Sequence, residues 1–203
     1  MNIQKQSKAS TLGAQRTAQG RNSAETRQRI FWAARQCFSY KIYESVGMRE
    51  IASVAGVDAA LVSRYFGSKE QLFAEIIQGA FNVEEHLPDD LEDVGKFLVE
   101  RVLSKSPVPN DNGFNPLSLL LLASASPATS TVASSRFHVE FVQPLALKLG
   151  GRNANVRAAL IGSYVIGLAT MRHLLNSPDL DNALKDESVT LVIAAIQSCV
   201  SPP

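Results

Sequence analysis

The sequence predicts an all-α fold in which a small three-helix N-terminal domain precedes a larger helical domain. Apolar residues recur at helical spacing from Ala24 to Val200, and no segment shows the alternation that is typical of a β-strand. Glycine or proline separates the periodic segments. The chain has 203 residues, of which 45% are hydrophobic, so it can bury a sizeable core. We divide it into residues 1–23, 24–70 and 71–203.

Residues 1–23 form a basic tail that is predicted to be disordered, because it contains almost no large apolar residues. Helical periodicity begins at Ala24, with Ser23 as a candidate N-cap. The first helix extends to about Ser39, and Trp32 lies one position off its apolar face, where we expect it to pack against the second domain. That apolar face consists of Ile30, Ala33, Ala34, Cys37 and Phe38.

Two short helices joined by a tight turn follow the first helix. The second helix covers Met48–Ala55, and Gly56 supplies the positive φ of the turn after it. The third helix covers Asp58–Tyr65, with Asp58 as its N-cap, and Gly67 ends it. Residues 24–70 are therefore predicted to contain a helix-turn-helix. Ser68 then caps a fourth helix, whose apolar positions are Leu72, Phe73, Ile76, Ile77 and Ala80.

The rest of the chain is also predicted to be helical. One long segment covers Pro127–Leu149, and Pro144 should kink or divide it because proline cannot donate a helical hydrogen bond. Lys105–Phe114 contains two prolines and an Asn-Asp-Asn-Gly run, so it is predicted to be a loop. The other helices are expected at Leu91–Leu103, Leu117–Ala123, Val156–Leu175 and Glu187–Val200.

Charge is distributed unevenly along the chain. Residues 1–69 contain eleven Lys or Arg and four Asp or Glu, a net charge of +7, whereas the whole chain carries +1. The remaining residues therefore carry −6. A basic first third joined to an acidic remainder favours contact between the N-terminal region and a polyanion such as DNA.

The predicted helix-turn-helix suggests how such a polyanion would be bound. In this motif the second helix lies in the major groove while the first crosses the DNA backbone. Here the groove helix is Asp58–Tyr65. Its small Ala59 and Ala60 permit close approach to base edges, and Leu61 is suited to contact a thymine methyl group.

The stretch from Arg49 to Phe73, REIASVAGVDAALVSRYFGSKEQLF, resembles the DNA-binding signature of the TetR family of regulators, which runs roughly IAxxAGVSxxxxYxxFxxKexL. The similarity covers about Ala24–Ile77, and order and spacing agree throughout the signature. The resemblance implies an all-helical regulator with a three-helix DNA-binding head. It also implies a divergent C-terminal domain that forms a homodimer and binds a small molecule.

The resemblance also implies roles for individual residues. Ala59, Ala60 and Leu61 fall where the family contacts bases. The residues that fall where the family contacts phosphates are Ser63, Arg64, Tyr65 and Lys69. Lys69 begins the fourth helix, so its cation and the helix N-terminus would both face the DNA backbone.

Three positions of the DNA-binding region depart from the family pattern. Asp58 stands where the family often has Ser, and Ser63 stands where it often has Tyr. Gly47 replaces the usual Thr and therefore lacks a hydroxyl cap and phosphate donor, a loss for which Arg49 and Tyr65 can compensate. These changes bear on which operator sequence is bound rather than on DNA binding itself. In the tail, Arg16 and Arg21 are either an arm that reaches the DNA or an unengaged segment.

The C-terminal stretch Val156–Ala169 is similar to the penultimate helix of one group of these regulators. We expect Val156–Leu175 and Glu187–Val200 to form a four-helix interface with their symmetry mates, the alternative being packing within one subunit. Six residues are candidates for the wall of an effector cavity, with ordinary core packing as the alternative for each: Phe114, Phe137, His138, Phe141, Tyr164 and Arg172.

Other classes of protein find little support in the sequence. Cys37 and Cys199 are far apart and the three histidines are scattered, so we expect neither a disulfide framework nor a metal site. No catalytic triad, carboxylate pair or phosphate-binding loop is visible, so no cofactor and no enzymatic activity are expected. The chain shows no secretory signal and no run of about 18 apolar residues, which favours a cytoplasmic protein without a membrane partner.

Three hypotheses about function follow. The leading one is a repressor that a small-molecule effector releases from its DNA operator. The second is a DNA-binding regulator or architectural protein that has no effector. The third is a helical enzyme, which no motif in the sequence supports.

Overall fold

The computed structural model describes residues 3–103, 114–178, 180 and 187–201, with side chains from Asn22 onward except at 85, 187 and 188. Across these residues the backbone forms α-helices, short 3₁₀ turns and two π turns, without a β-strand. The predicted all-α fold is thereby confirmed. Most of the predicted loop Lys105–Phe114 lies outside the described residues.

The N-terminal head consists of the three predicted helices and α4, which follows them, and local signals separate α2, α3 and α4. Helix α2 ends at Gly56, whose φ of 63° lies in the left-handed region. Asp58 caps α3 by accepting the Ala60 N–H, and Ser68 and Gln71 form a capping box at the start of α4. The helices are α1 (Ile3–Tyr40), α2 (Met48–Ala55), α3 (Ala59–Phe66) and α4 (Lys69–Ile77).

Helix α1 differs from the prediction at its N-terminal end. It begins at Ile3 instead of Ala24, so it runs through the region that was predicted to be a disordered tail. No proline interrupts the sequence between Ile3 and Tyr40, and the backbone N–H groups can therefore continue the helical ladder. Ser23 is consequently not an N-cap; its hydroxyl lies 3.0 Å from that of Tyr65 and links α1 to α3.

The C-terminal body contains six described helices and two interruptions. The predicted break near Pro144 appears as a first π turn at His138–Val142, after which α8 starts with Pro144 in its first turn. The predicted helix Val156–Leu175 appears as α9 followed by a second π turn at Thr170–Leu174. The helices are α5 (Val94–Leu103), α6 (Pro116–Ser124), α7 (Ser130–Phe137), α8 (Gln143–Leu149), α9 (Ala154–Ala169) and α10 (Glu187–Val200).

A continuous hydrophobic core joins the head to the body. Helix α1 packs against α2, α3 and α4 and also against α6 of the body. In the body, α10 packs on α5 and α9, and α8 packs on α9. The centre of the head is an aromatic cluster in which the Phe73 ring meets Phe38 and Tyr43 edge-on, at centroid distances of 5.2 and 5.3 Å.

The segment Ala154–Leu174 is long and apolar enough, by length and composition alone, to cross a membrane. Within the fold, however, it packs against α5, α8 and α10, and its Ala158, Ile161 and Val165 are buried. It also carries Arg157, whose guanidinium donates to the carbonyls of Gly150 and Val200. These contacts are those of a core helix in a helical domain.

Candidate DNA interface and effector cavity

Helix α3 presents one face to the core and the other to solvent. Val62 and Phe66 are buried, whereas Ala60, Ser63 and Arg64 are exposed. Phe66 is held from the outside by Arg27, whose guanidinium lies 4.6 Å from the ring centroid and pairs with Glu75 at 2.5 Å. The orientation of α3 therefore depends on contacts with both α1 and α4.

The three residues predicted to contact bases are not equally accessible. Ala60 is exposed, but Ala59 and Leu61 are half-buried and pack against the core. Asp58, also exposed, uses its carboxylate to accept the Ala60 N–H at 2.7 Å. Because the carboxylate caps the helix, its negative charge lies at the positive end of the α3 dipole.

Tyr65 and Lys69, both predicted to contact phosphates, are half-buried. The Lys69 ammonium lies 4.1 Å from the centroid of the Tyr43 ring, a cation–π contact. The Tyr43 hydroxyl donates to a Glu70 carboxylate oxygen at 3.1 Å. Burial, followed by this bond to Glu70, raises the pKa of Tyr43 to about 12. A neutral phenol therefore supports the cation at the start of α4.

The other two residues that were predicted to contact DNA lie at the start of α2. Gly47 is an exposed N-cap without a side-chain hydrogen bond, and Arg49 is exposed in the first turn. The acid beside them, Glu50, pairs with Lys41 at 2.5 Å, and this hydrogen bond lowers the pKa of the Glu50 carboxyl. The predicted DNA-contacting residues thus lie at the start of α2, along α3 and at the start of α4.

A cavity of about 300 Å³ lies in the body beside the end of the head. Residues 80–83, which follow α4, form part of its wall together with α5, α6, α7 and both π turns. The wall is mainly aromatic and aliphatic, with a few polar groups. The described residues that line it are Tyr40, Ala80, Phe81, Asn82, Val83, Leu98, Arg101, Val102, Phe114, Asn115, Pro116, Leu117, Ser118, Phe137, Phe141, Val165 and His173.

The cavity contains three of the six residues that were predicted for it, namely Phe114, Phe137 and Phe141. His138 and Tyr164 are instead exposed, and Arg172 is not part of the wall. Tyr164 is 44% exposed and lies about 60° around α9 from the buried Ile161, at the edge of the buried face of this helix. The second π turn adds a residue to one helical turn, so His173 rather than Arg172 reaches the cavity.

Sequence reasoning did not identify Phe81, Arg101 or His173 as wall residues. A signal for Arg101 was available, because it lies three residues after Leu98 and seven after Val94, both of which are buried. A charged residue at an apolar position of a helix is uncommon and indicates a special environment. No comparable signal marks Phe81, whose position depends on the packing of the segment after α4.

Glu140, in the first π turn, binds the segment that connects head and body. Its carboxylate accepts the N–H groups of Gly79 at 2.9 Å and Phe81 at 3.1 Å, and its backbone carbonyl accepts that of Val83 at 3.2 Å. Pro144 explains the last bond, since it has no N–H to offer the carbonyl four residues earlier. The interrupted helix therefore leaves the Glu140 carbonyl available to bind Val83, in the segment that follows α4.

A second polar contact joins head and body near α1. The Ser126 hydroxyl donates to a Glu44 carboxylate oxygen at 2.5 Å, and this bond lowers the pKa of the Glu44 carboxyl. Within the described residues, no group of three His, Cys, Asp or Glu side chains is arranged to hold a metal ion. The arrangement as a whole is that of a helix-turn-helix DNA-binding protein with an internal cavity against its DNA-binding head.

Comparison with known proteins gives the family. A model of bacterial regulatory proteins of the tetR family matches residues 30–76, and a model of the tetracyclin repressor-like C-terminal domain matches residues 92–200. The second match alone covers more than half of the 203 residues. The chain therefore belongs to the TetR family of DNA-binding transcription regulators. A search of the curated proteins gives no match.

Solved structures of other proteins have the same fold. A TetR-family regulator from Streptomyces coelicolor is 28% identical, with a TM-score of 0.52, over 88% of this chain and 96% of that one. NalD from Pseudomonas aeruginosa, described as the secondary repressor of a multidrug efflux pump, is 18% identical with a TM-score of 0.58, over 86% and 95%. EbrR, described as a multidrug binding protein, is 17% identical with a TM-score of 0.58, over 87% and 90%.

Proposed function

We propose that this regulator is a cytoplasmic repressor that binds its operator as a homodimer and leaves it when a small molecule occupies the cavity. The observation that carries the proposal is the position of the cavity. Its wall includes Ala80, Phe81 and Val83, in the segment immediately after the last helix of the head. A molecule in the cavity would therefore contact the connection that sets the orientation of the head.

The proposed mechanism is a change in the spacing of two heads. A helix-turn-helix dimer places its recognition helices in successive major grooves about 34–36 Å apart. A ligand that favours another orientation of α4 relative to the body would change this spacing. The dimer then has a DNA-binding conformation and a ligand-bound conformation with the wrong spacing. To reverse a 1:99 equilibrium between these two conformations, the ligand must bind one more tightly than the other by about 5.5 kcal/mol. Two similar structures, of a repressor and of a multidrug binding protein, support an effector of this kind.

The proposed DNA contacts are those of the sequence prediction. Ala59, Ala60 and Leu61 would contact bases, and Asp58 would cap the groove helix. The contacts to the phosphate backbone would come from the side chains of Arg49, Ser63, Arg64, Tyr65 and Lys69, and at Gly47 from the backbone alone. The exposure of Arg49, Ser63 and Arg64 supports these roles.

The proposed dimer interface is the exposed apolar face of α9 and α10. Val156, Leu160 and Tyr164 follow one another at intervals of four residues and are 59%, 48% and 44% exposed. Leu191 of α10 is 70% exposed. Large apolar side chains that form a continuous exposed stripe mark an interaction site. An isologous contact between two such faces gives the four-helix interface of a twofold dimer.

The proposal is tested by measuring the affinity of the full chain for DNA upstream of its own gene, by fluorescence anisotropy, with and without a library of hydrophobic small molecules. We expect salt-dependent binding by a dimer and release by a subset of compounds. Specific DNA binding that no cavity ligand alters would instead favour the second hypothesis, a regulator without an effector. Failure of the protein to bind this DNA at low salt would contradict the proposed operator.

A further inference from the structure

Helix α1 extends well beyond the rest of the head at its N-terminal end. It begins at Ile3, and the family model of the DNA-binding domain starts at residue 30, where Ile30 enters the core. At 1.5 Å per residue, the part of α1 before Ser23 is about 30 Å long. We call residues 3–22 the α1 extension. Because it continues an existing helix, it needs no new nucleus and can form without a core of its own.

The α1 extension is basic throughout. Residues 1–24 contain four Lys or Arg and no Asp or Glu, a net charge of +4, and the first acid of the chain is Glu25. Ile3 and Leu12 are the only large apolar residues between positions 3 and 22. A membrane-surface helix needs a broad apolar face, which this composition does not supply. A basic helix of this kind is suited to a polyanion such as DNA.

Three of these four cations share one face of the helix. Lys5, Lys8 and Arg16 precede Ser23 by 18, 15 and 7 residues, so at 3.6 residues per turn they lie within about 60° of it. Arg21 lies about 160° from Ser23, on the opposite side. We call Lys5, Lys8 and Arg16 the basic face of the extension.

The contacts of Ser23 and Arg27 relate this face to the groove helix. The Ser23 and Tyr65 hydroxyl oxygens lie 3.0 Å apart, so Ser23 is on the side of α1 that meets the end of α3. One turn later, the Arg27 guanidinium lies 4.6 Å from the centroid of the Phe66 ring, also in α3. The extension therefore leaves the head beside Tyr65, which the proposed interface assigns to a phosphate, and its basic face is on the side of α3.

We propose that the α1 extension is a second DNA-binding element, whose Lys5, Lys8 and Arg16 bind phosphates of the duplex next to the groove that α3 occupies. Its length of about 30 Å corresponds to about nine base pairs at 3.4 Å each. Such contacts add affinity and fix the position of the head without reading the sequence. This inference rests on the proposed DNA interface and adds contacts outside the residues that the family model matches.

The test measures how DNA binding by the full chain depends on salt. The affinity for a mixed-sequence duplex of about 40 base pairs is measured by fluorescence anisotropy between about 50 and 200 mM salt. Each lost phosphate contact lowers the slope of log K against log salt by about 0.9. Lys8→Gln combined with Arg16→Gln should therefore reduce the slope by about two units per head. A slope equal to that of the wild type would overturn the proposal.

The matched control is Lys96→Gln combined with Arg152→Gln. It removes the same charge from the body, where Lys96 is 62% exposed and Arg152 is exposed. We expect this protein to keep the wild-type slope. An equal loss in both double variants would show an effect of net charge alone, and the proposal would fail.

Two single variants test the helical face. Arg16→Gln should reduce the slope by about 0.9 per head, whereas Arg21→Gln removes the same charge from the opposite side of the helix and should leave it unchanged. Equal reductions would show that basic charge acts without a helical face, contrary to the proposal. Circular dichroism confirms that each variant is folded, and the single variants decide if the double variant is not.

Two further measurements identify the partner. Binding to phosphatidylserine vesicles that is lost in Lys8→Gln/Arg16→Gln, with an unchanged DNA slope, would assign the basic face to a membrane. Lys69→Ala separates this inference from the proposed DNA interface. If Lys69→Ala lowers the slope and Lys8→Gln/Arg16→Gln does not, the interface stands and this inference is wrong. If the extension variant alone lowers it, the inference stands and the proposed role of Lys69 fails.

Discussion

The DNA-binding head and the C-terminal body differ in how their helices begin, end and continue. In the head, α2 to α4 are separated by Gly56, capped by Asp58 and Ser68, and closed around an aromatic core. In the body, two helices pass into π turns, and the N-cap residue of α9, Asn153, has a φ of 55° and makes no side-chain cap.

The irregular turns of the body contain several of its functional candidates. The first π turn contains Phe141, in the cavity wall, and Glu140, which holds the segment after α4. The second contains His173, also in the wall. Single π turns in helices often occur at functional sites. Regular helices form the DNA-binding surface of the head. Interrupted helices in the body leave room for the cavity and leave polar groups available to bond with other segments.

The largest expected effect comes from the proposed dimer face on α9 and α10. Leu160→Glu places a charge in the centre of the exposed stripe on α9, and burial of an unpaired charge opposes association. We expect a monomer by size-exclusion chromatography with light scattering. Loss of the second head should weaken operator binding by about 10²- to 10⁴-fold.

The control for this variant is Leu147→Glu, at an 84% exposed position of α8 outside that face. It should remain dimeric and keep its operator affinity. A Leu160→Glu protein that stays dimeric would move the interface to another surface of the body.

Glu140 is the next test, because it connects the two regions. Glu140→Ala removes an 11% exposed carboxylate that accepts two backbone N–H groups. At about 1.5–3 kcal/mol for a hydrogen bond to a charged group, and without full additivity, we expect the free energy of unfolding to fall by about 2–4 kcal/mol. We also expect the cavity ligand to release DNA less effectively, as measured by anisotropy.

Glu100→Gln is the matched control, since Glu100 is 62% exposed and only 4.0 Å from Lys96 in an i,i+4 pair. It should change the free energy of unfolding by less than about 0.5 kcal/mol. If Glu140→Ala keeps the full response to ligand, head and body are coupled through other contacts, such as that between Ser126 and Glu44.

Lys69 tests the head by itself. Lys69→Ala should weaken binding to all DNA sequences similarly and reduce the slope of log K against log salt by about one unit. Lys96→Ala, in the body, should leave the slope unchanged. If Lys69→Ala also leaves it unchanged, the ammonium serves the Tyr43 ring instead of a phosphate.

The smallest expected effect is a pH dependence in the head. The pKa of Tyr43 is raised from 10.0 to about 12, so the folded state favours the neutral phenol. This preference contributes stability below pH 10, and the contribution is lost as the pH rises from 10 to about 12. Tyr43→Phe should remove this part of the pH dependence of urea unfolding.

Tyrosinate absorbance during the pH titration provides an independent measurement, with Tyr40→Phe as the control at a 67% exposed position. In the wild type, one tyrosine should ionise near pH 12, and the Tyr43→Phe protein should lack that transition. A late transition that persists in Tyr43→Phe would show that another phenol is responsible.

The sequence by itself determined the head. Periodicity, caps and glycine act over a few residues, so the helices at Met48–Ala55 and after Asp58, the turn at Gly56 and the family follow from local chemistry. The exception is α1, which continues to Ile3 because nothing local stops it. Sequence also identified the apolar segments of the body and the break near Pro144.

The tertiary structure decided which residues meet around the cavity. Residues 80–83, Arg101 and His173 are far apart in the chain and come together only through packing, and the second π turn sets which residue of its helix reaches the cavity. A shift of one residue turns a helix by about 100°, so His173 lines the cavity where uninterrupted α-helical spacing would place Arg172. Local patterns contain no information about such a rotation, because its cause lies in contacts between distant helices.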